Sequence, residues 1–154
     1  MNTSIRSSMV SGVVAAAMSA TCLPISGSAL AGDLSIDVQG VRSTAGRVYV
    51  AVHVSSDAVS FPDPAGVVAG GWRDARLGSP TVVFPGLPGN RYAVAVFHDE
   101  NGNGEMDSNV LGLPLEGYGF ANDARGAMGP PSFEAASIEV GTGAMVTAVV
   151  TLNY

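Results

Sequence analysis

The chain has 154 residues, a formal net charge of −6 and a hydrophobic fraction of 47%. This length suits one compact domain, since domains most often hold about 100–150 residues, and the apolar content argues against a disordered chain. The negative charge argues against binding to nucleic acids and to anionic membrane surfaces, because both attract basic patches.

The first segment, residues 1–31, has the features of a secretory signal. Arg6 is its only charged residue, residues 9–20 are apolar or small, and Ala29-Leu30-Ala31 offers the small-x-small pattern that a signal peptidase recognises. Cleavage at this point would leave a mature chain in the periplasm or outside the cell. We therefore predict a signal peptide over residues 1–31 and a single domain over residues 32–154.

Two alternatives to a signal peptide fit the segment less well. A retained membrane anchor needs about 20 strongly apolar residues, whereas this segment is rich in Ala, Ser and Gly and is interrupted by Pro24 and Gly27. A lipoprotein would use Cys22, but Ser19-Ala20-Thr21 is a poor match to the sequence that precedes a lipidated cysteine.

The mature chain would contain no cysteine, which excludes thiol chemistry and disulfide-stapled scaffolds. With 6 basic and 13 acidic residues it would carry a net charge of −7.

Strand-like alternation of apolar and polar residues begins directly after the predicted cleavage site. Two runs show apolar residues at every second position; they are Leu34, Ile36 and Val38, then Val48, Val50, Val52 and Val54. In the second run, Tyr49, Ala51 and His53 lie on the opposite face. Because the intervening Ser43-Thr44-Ala45-Gly46 is rich in turn residues, we predict that the two strands form a hairpin.

Later segments repeat the alternation. A short strand is predicted around Val82 and Phe84, followed by the turn-rich residues 85–90. The next strand, residues 91–97, is apolar on both faces, which predicts a central position in a sheet. At the C-terminal end, residues 136–154 alternate on both sides of Gly141-Thr142-Gly143 and predict a closing hairpin.

Several short strands separated by Gly and Pro, with no sustained apolar period of 3.6 residues, predict an all-β fold. A barrel and a sandwich both fit this pattern, and we favour an antiparallel, Greek-key-type β-sandwich of about seven strands. The alternation fails from Ser55 to Ser79, where we expect a connection that holds at best one irregular edge strand. It fails again from Ser108 to Glu134, and irregular loops of such length are usually functional or tied down by a ligand.

The stretch HDENGNGEMD, residues 98–107, places oxygen-bearing side chains at every second position; they are Asp99, Asn101, Asn103, Glu105 and Asp107. Calcium takes about six to eight oxygen ligands, and its loops supply them from alternating positions, with a glycine at the sixth for a sharp bend. Counted from Asp99, the two asparagines fill positions three and five, Gly104 is sixth, the Glu105 carbonyl is seventh and Asp107 is ninth. The spacing therefore predicts a calcium site.

The loop departs from an EF-hand in two respects. Position twelve, which needs a bidentate Glu, is Val110, and no helical pattern flanks the loop. The loop instead resembles the strand-linked calcium loops of bacterial surface sandwich repeats. With only two ligand carboxylates, we expect weak calcium binding, with a Kd of about 0.1–1 mM. Because all the ligand atoms are oxygens, zinc and copper are disfavoured. A further ligand from Glu116 or Asp123 would pin the long loop to the sheet.

A plain turn is the main alternative to a calcium site, because Asn-Gly pairs are strong hairpin signals. A hairpin, however, needs a second alternating run soon after the turn. Residues 108–114 alternate poorly and end in a proline. We prefer the calcium interpretation because it explains more of the sequence.

A second conspicuous stretch, residues 114–136, places Tyr118 and Phe120 between glycines and follows them with Arg125. Together with Trp72, these three residues are candidates for a small-ligand, peptide or glycan site. The alternative, which we favour, is that Tyr118, Phe120 and Phe133 anchor the loop to the core, since aromatic side chains bury large areas.

Four sequence blocks also carry a family resemblance. They are Phe61-Pro62, YAVAVFHDENGNGEMD (residues 92–107), GLPLEGYGFAND (residues 112–123) and GPPSFEAA (residues 129–136). With these blocks the chain resembles the small exported bacterial proteins of domain of unknown function 2141. The resemblance implies an exported protein with a prealbumin-like (transthyretin-like) β-sandwich, and it transfers no catalytic residue because the family has no settled activity.

The sequence offers little that an enzyme requires. Catalysis needs a nucleophile with a base, a carboxylate pair in a cleft, or a reactive metal site. The mature chain has two histidines, and His98 beside Asp99 is the better candidate base, although such residues more often have packing roles. We therefore predict no enzymatic activity, and a hydrolase centred on His98 is a third hypothesis after the two that follow.

Our first hypothesis is an exported, calcium-stabilised binding or envelope-structural module whose partner is an envelope protein or a glycan. The second is a small-ligand or glycan-binding protein that uses the aromatic loop residues. We expect no nucleic-acid partner and no insertion into a membrane once the signal is removed.

Overall fold

A computed structural model describes residues 31–154; the predicted signal peptide lies outside the described residues except for Ala31. The described part contains eight strands: β1 (Ala31–Gln39), β2 (Arg47–Val54), β3 (Val67–Asp74), β4 (Thr81–Pro88), β5 (Asn90–Asp99), β6 (Gly117–Phe120), β7 (Ser137–Val140) and β8 (Met145–Thr151). Three short 3₁₀ helices span Ser55–Ser60, Pro64–Gly66 and Ala121–Asp123. Within residues 31–154, no helix has the length and apolar character needed to cross a bilayer.

The strands form two sheets, as expected for a β-sandwich. The first sheet has the order β4-β1-β8, and the second has the order β3-β2-β5-β6, with β7 also paired to β5. The strand count is eight rather than about seven. Pairing is antiparallel except between β1 and β8, which run parallel, so the antiparallel prediction holds for every pair but that one.

The predicted apolar faces of the first two runs form the core. All seven of their apolar residues belong to the main apolar cluster or pack against it; Leu34, Ile36, Val38, Val48 and Val52 are fully buried. Burying one such side chain contributes about 1.5–3 kcal/mol. Alternation therefore identified the core-facing residues of both strands correctly.

The predicted hairpin between these two strands is wrong. β1 pairs with β4 and β8 in the first sheet, whereas β2 pairs with β3 and β5 in the second. The connecting segment carries Gly40 and Gly46 in the left-handed region, at φ 78° and 68°, and it leads the chain from one layer to the other. Placing the two strands in opposite sheets lets their two apolar faces cover the same core from opposite sides.

The predicted closing hairpin at the C-terminal end is also wrong. β7 pairs with β5, and β8 pairs with β1, so these two strands again belong to different layers. β1 passes so close to the turn between them that a Cβ on Gly32 would lie 2.3 Å from the carbonyl oxygen of Gly141. The turn residues were recognised correctly, but the hydrogen-bonding partners lie elsewhere in the chain.

Two predictions about strand position are confirmed, and a third, the long irregular loop, holds except for one short strand. Strand β5 is central, with β2 along one edge and β6 and β7 along the other. The first irregular region contains β3, which lies at the edge of its sheet. The second irregular region, Ser108 to Glu134, contains a strand that was not predicted, β6, and the 3₁₀ turn Ala121–Asp123; its other residues are irregular.

A small second apolar cluster covers part of the outer face of the second sheet. It contains the buried residues Ala93, Phe133 and Ala136, with Ala58, Phe61, Phe120 and Ala124 packed against it. The long loop is thus anchored through Phe133 and Phe120, as the anchoring alternative predicts. The Asp99 end of β5 lies beyond this cover and leads into the acidic loop.

Candidate functional site

Asp99 organises the acidic loop at the end of β5. Its carboxylate is fully buried, and Oδ1 accepts hydrogen bonds from the backbone N–H groups of Gly102 and Asn103 at 2.6 and 3.2 Å. Oδ2 accepts one from Gly104 N at 2.8 Å. Gly102 and Gly104 have φ of 78° and 82°, a region that glycine enters without strain. The two Asn-Gly pairs therefore let the chain wrap around the Asp99 carboxylate.

The two asparagines continue this arrangement towards Asp107. Asn101 Oδ1 accepts from the N–H of Asn103 at 2.9 Å, and Asn103 Oδ1 accepts from the N–H of Glu105 at 2.8 Å. Their side-chain amides donate to the two carboxylate oxygens of Asp107, at 2.5 and 3.1 Å. Four of the five predicted ligand side chains thus meet in one hydrogen-bonded loop. Glu105 is exposed and contributes its backbone N–H.

Glu116 is the residue that closes the loop at its base. Its side chain is buried; Oε1 accepts from Glu100 N at 2.9 Å and Oε2 accepts from Asp107 N at 3.2 Å. Of the two additional ligands considered from sequence, Glu116 approaches the acidic loop. Asp123 instead accepts a hydrogen bond from Thr151 N at 3.0 Å, and so it ties the long loop to β8.

The connection between β5 and β6 is not a tight hairpin, because β5 ends at Asp99 and its partner β6 begins only at Gly117.

Within residues 31–154, no three side chains from His, Cys, Asp and Glu are grouped so that they could hold a metal ion. A cation in this loop would therefore need oxygens from Asn101, Asn103 or the backbone, which are the donor types that calcium accepts.

His98, the candidate base, has both ring nitrogens occupied. Nδ1 lies 2.7 Å from the hydroxyl of Tyr154, and Nε2 lies 2.8 Å from the carbonyl oxygen of Ala45. The ring is fully buried. In this arrangement the ring links the Tyr154 hydroxyl to the Ala45 carbonyl.

The four tentative ligand-binding residues do not form one site. Tyr118, Phe120 and Arg125 line a cleft of about 130 Å³ between β6 and β8, together with Asp123, Thr151 and Asn153. Trp72 lies on β3, at the opposite edge of the sheet. Its ring is about half exposed, and the Arg47 guanidinium lies over it at 4.2 Å from the ring centre.

Two aromatic residues that sequence reasoning did not select connect Trp72 with Tyr118. Tyr49 pairs with both Trp72 and Phe97, and Phe97 pairs with Tyr118, so the four rings form one row across the second sheet. Tyr49 and Phe97 stack with ring centres 5.1 Å apart. The signal was present in the sequence, since both residues alternate with core valines and must point to the outer face.

The profile of one protein family matches residues 36–148, and its description reads uncharacterized protein conserved in bacteria, DUF2141. The chain belongs to this family. The match spans the acidic loop, Glu116 and the cleft residues from Tyr118 to Pro131, so these features lie within the DUF2141 region. No curated protein and no solved structure matches the chain. The prealbumin-like and exported character that the resemblance implied therefore stays a prediction.

A further buried histidine in the DUF2141 region was not predicted as a site. His53 lies on the outer face of β2 and is fully buried, and within the described residues neither ring nitrogen has a hydrogen-bond partner. The ring meets Phe61 edge to face, with ring centres 5.1 Å apart. Burial lowers the pKa of His53 below its ordinary value of 6.5, while the nearby charges of Asp57 and Asp63 oppose that shift. Loss of solvent is the larger of these opposing effects, and it favours the neutral form of the ring.

Proposed function

We propose that this DUF2141 protein is an exported, non-enzymatic binding or envelope-structural module whose acidic loop is stabilised by calcium. Its predicted partners are an envelope protein or a glycan. The observation that supports calcium is the burial of two carboxylates, Asp99 and Glu116, in one loop. None of the three ion pairs among the described residues includes either of them.

Backbone N–H groups alone solvate these two carboxylates. Burying a charge is costly unless the charge is paired and hydrogen-bonded, and a divalent cation supplies pairing that N–H dipoles do not. Asp107 adds a third carboxylate, currently bound to the amides of Asn101 and Asn103. Each amide oxygen accepts one backbone N–H and has a second lone pair, and amide oxygens are ligands that calcium accepts.

Thermal and chemical unfolding with calcium or with a chelator tests this proposal. A ligand that binds only the folded state raises its stability by RT ln(1 + [L]/Kd). For a Kd of about 0.1–1 mM, 10 mM calcium should therefore add about 1.4–2.7 kcal/mol. Magnesium should have a smaller effect, because it demands a more regular octahedral site.

A pair of matched variants makes the experiment specific to the loop. Asp107→Asn removes one charge from the proposed ligand set, and Asp74→Asn removes the same charge from the end of β3. We expect the calcium effect to disappear in the first variant and to persist in the second. Equal stability of the unmodified protein in calcium and in chelator would refute calcium binding at these concentrations.

The cleft between β6 and β8 supports a second candidate function, small-ligand or glycan binding. Three of the four residues selected from sequence line it, and Arg125 holds one wall by donating from Nη2 to Asn153 Oδ1 at 2.6 Å. Its volume of about 130 Å³ is below the range of about 300–1,000 Å³ for ligand pockets. It would therefore accommodate one small group of a ligand, such as a single ring or a carboxylate.

A thermal-shift screen of monosaccharides and small carboxylates tests the cleft. Trp72 is too distant to report binding by fluorescence, since it lies at the other edge of the sheet. A stabilising compound should lose its effect in Tyr118→Ala and keep it in Tyr49→Ala, which removes a similar ring from the same row outside the cleft. No stabilisation by any compound, or an effect that survives Tyr118→Ala, would count against this function.

A further inference from the structure

The acidic loop contains both Asn-Gly pairs of the chain, Asn101-Gly102 and Asn103-Gly104, and every other asparagine is followed by a larger residue. Asn-Gly is the dipeptide that deamidates most readily, because glycine leaves the asparagine side chain unobstructed access to the next backbone nitrogen. All four residues are exposed, so water and hydroxide reach them. By sequence and exposure alone, both pairs should therefore react rapidly.

Deamidation begins at the backbone nitrogen of the glycine. Once this nitrogen has lost its proton, it forms a bond to Cγ of the preceding asparagine, and the side-chain nitrogen leaves as ammonia, which carries that proton away. Water then opens the resulting succinimide ring. Breaking the new bond from nitrogen to Cγ yields aspartate. Breaking the bond from nitrogen to the backbone carbonyl carbon yields isoaspartate, in which the main chain runs through the side chain.

In the folded loop, one carboxylate holds both attacking nitrogens. Gly102 N donates to Asp99 Oδ1 at 2.6 Å, and Gly104 N donates to Asp99 Oδ2 at 2.8 Å. The Asp99 side chain is fully buried. A proton shared with a negatively charged acceptor is hard to remove, because its loss would leave an amide anion beside the carboxylate. Each nitrogen therefore has to leave Asp99 before it attacks.

The side-chain amides are held as well, by Asp107 at the other end of the loop. The Nδ2 groups of Asn101 and Asn103 donate to its two carboxylate oxygens at 2.5 and 3.1 Å. Both the nitrogen that attacks and the nitrogen that leaves are therefore bound in the closed loop. The reaction at either pair requires the loop to open.

We propose that Asn101 and Asn103 form a paired deamidation site, and that the buried Asp99 carboxylate keeps both unreactive until the loop opens. Each reaction adds one negative charge to a loop that already carries several carboxylates. Isoaspartate also adds a Cβ carbon to the main chain, which displaces the N–H groups from Asp99. The first deamidation therefore accelerates the second, since both pairs depend on the same carboxylate. This inference does not depend on calcium binding.

A third Asn-Gly pair in the same molecule provides the reference rate. Leu77→Asn places an asparagine before Gly78 in the connection between β3 and β4, where Leu77 is 68% exposed and the Gly78 N–H makes no hydrogen bond to a described residue. The variant is incubated at neutral pH with a chelator, and peptide mapping by mass spectrometry gives the deamidation rate at each pair. The same incubation in urea gives the rates in the unfolded chain.

We expect the folded protein to deamidate at Asn101 and Asn103 at least about tenfold more slowly than at the reference pair, the factor expected from a hydrogen bond to a charged group. In urea, where the loop is lost, the three rates should converge. Amide hydrogen exchange at Gly102 and Gly104 should be slowed by a similar factor, because exchange requires loss of the same proton.

Asp99→Asn tests the assigned carboxylate. This substitution removes the charge and should accelerate deamidation at both pairs by about tenfold. Asp63→Asn is the matched control, because Asp63 Oδ1 also accepts a backbone N–H, from Ala65 at 2.8 Å, but lies outside the loop; it should leave both rates unchanged. Hydrogen exchange of the β5 amides checks that both variants are folded. If Asp99→Asn does not fold, the rates and the exchange of the unmodified loop decide the proposal.

Folded-state rates at Asn101 and Asn103 that equal their rates in urea would overturn the proposal, as would unprotected exchange at Gly102 and Gly104. Slow deamidation that persists in folded Asp99→Asn would assign the protection to another group and would also overturn it.

Discussion

The hydroxyl of Tyr154 lies 2.7 Å from Nδ1 of His98. The other ring nitrogen, Nε2, faces the Ala45 carbonyl oxygen, which can only accept a hydrogen bond, so Nε2 carries the proton and the Tyr154 hydroxyl donates to Nδ1. The backbone N–H of Arg42 donates to the same hydroxyl oxygen at 3.2 Å, and the Arg42 guanidinium lies over the Tyr154 ring at 4.1 Å. This network fixes the C-terminal segment beside the acidic loop.

The first prediction concerns the Tyr154 hydroxyl. Tyr154→Phe leaves Nδ1 of the buried His98 without a donor, and we expect a loss of about 1–3 kcal/mol in the free energy of unfolding. Urea denaturation at neutral pH measures this loss. Tyr49→Phe is the control, since the Tyr49 hydroxyl makes no hydrogen bond to a described residue. Equal effects of the two substitutions would contradict the assigned network.

The second prediction concerns the space beneath the Tyr154 ring. A Cβ on Gly117 would lie 2.3 Å from Tyr154 Cε1, whereas a Cβ on Gly141 would meet only the Ala144 Cβ, at 3.8 Å. We expect Gly117→Ala to destabilise the fold by about 1–3 kcal/mol through overpacking. Gly141→Ala should be close to neutral by the same denaturation measurement. A stable Gly117→Ala protein would show that Tyr154 does not pack there.

The third prediction concerns the base of the acidic loop. Glu116→Gln keeps one carbonyl oxygen but turns an N–H₂ group towards one of the two backbone donors that the carboxylate now accepts. We expect a loss of about 1–3 kcal/mol, with increased amide hydrogen exchange at Glu100 or Asp107. Glu134→Gln, at an exposed ion pair with Arg91, should have little effect. Unchanged hydrogen exchange at both backbone amides would show that the Glu116 carboxylate does not hold the loop.

The fourth prediction concerns pH and His53. Because burial lowers the pKa of His53 in the folded state, the unfolded chain takes up a proton first as the pH falls through about 6.5. Stability should therefore be complete above this pH and decrease below it until the folded pKa is reached, by at most about 1.4 kcal/mol per pH unit.

The variant that tests this assignment is His53→Leu, which fills a similar space without a titrating group. Its free energy of unfolding should fall less between pH 7.5 and 5.5 than that of the unmodified protein, while both retain His98. Parallel curves over this interval would show that His53 does not cause the pH dependence.

Strand faces were predictable to a large extent because they depend on local chemistry. Successive side chains of a strand point to opposite faces, so the alternation from Val48 to Val54 identified the core-facing residues of β2. Residues 91–97 are apolar on both faces, which identified β5 as a central strand. The same rule placed Tyr49 on the face opposite the core valines, but it did not show that Tyr49 and Phe97 are neighbours on adjacent strands. The conformation of the acidic loop also follows from nearby residues, since the Asp99 carboxylate and the two asparagine side chains accept hydrogen bonds from backbone N–H groups a few residues further along the chain.

Strand partners were not predictable in the same way. The loop before Arg47 and the turn after Val140 both resemble hairpin turns, yet each joins strands of opposite sheets. A short glycine-containing connection permits either outcome, and the choice depends on which arrangement buries more apolar surface across the whole domain. Strand pairing between distant segments also places Trp72 and Tyr118 at opposite edges of the second sheet. It likewise brings Glu116, and not Asp123, to the acidic loop.

The sequence by itself determined the all-β class, the core-facing residues of β1 and β2, the order of ligand-type side chains in the acidic loop and the membership of the DUF2141 family. The tertiary structure decided that Glu116 closes this loop, that the Tyr154 hydroxyl meets Nδ1 of His98 and that the aliphatic side chains of residues 110–115 are exposed. The physical reason is that alternation and turn chemistry act over a few residues, whereas burial, pairing and exposure depend on contacts between segments that the chain order does not specify.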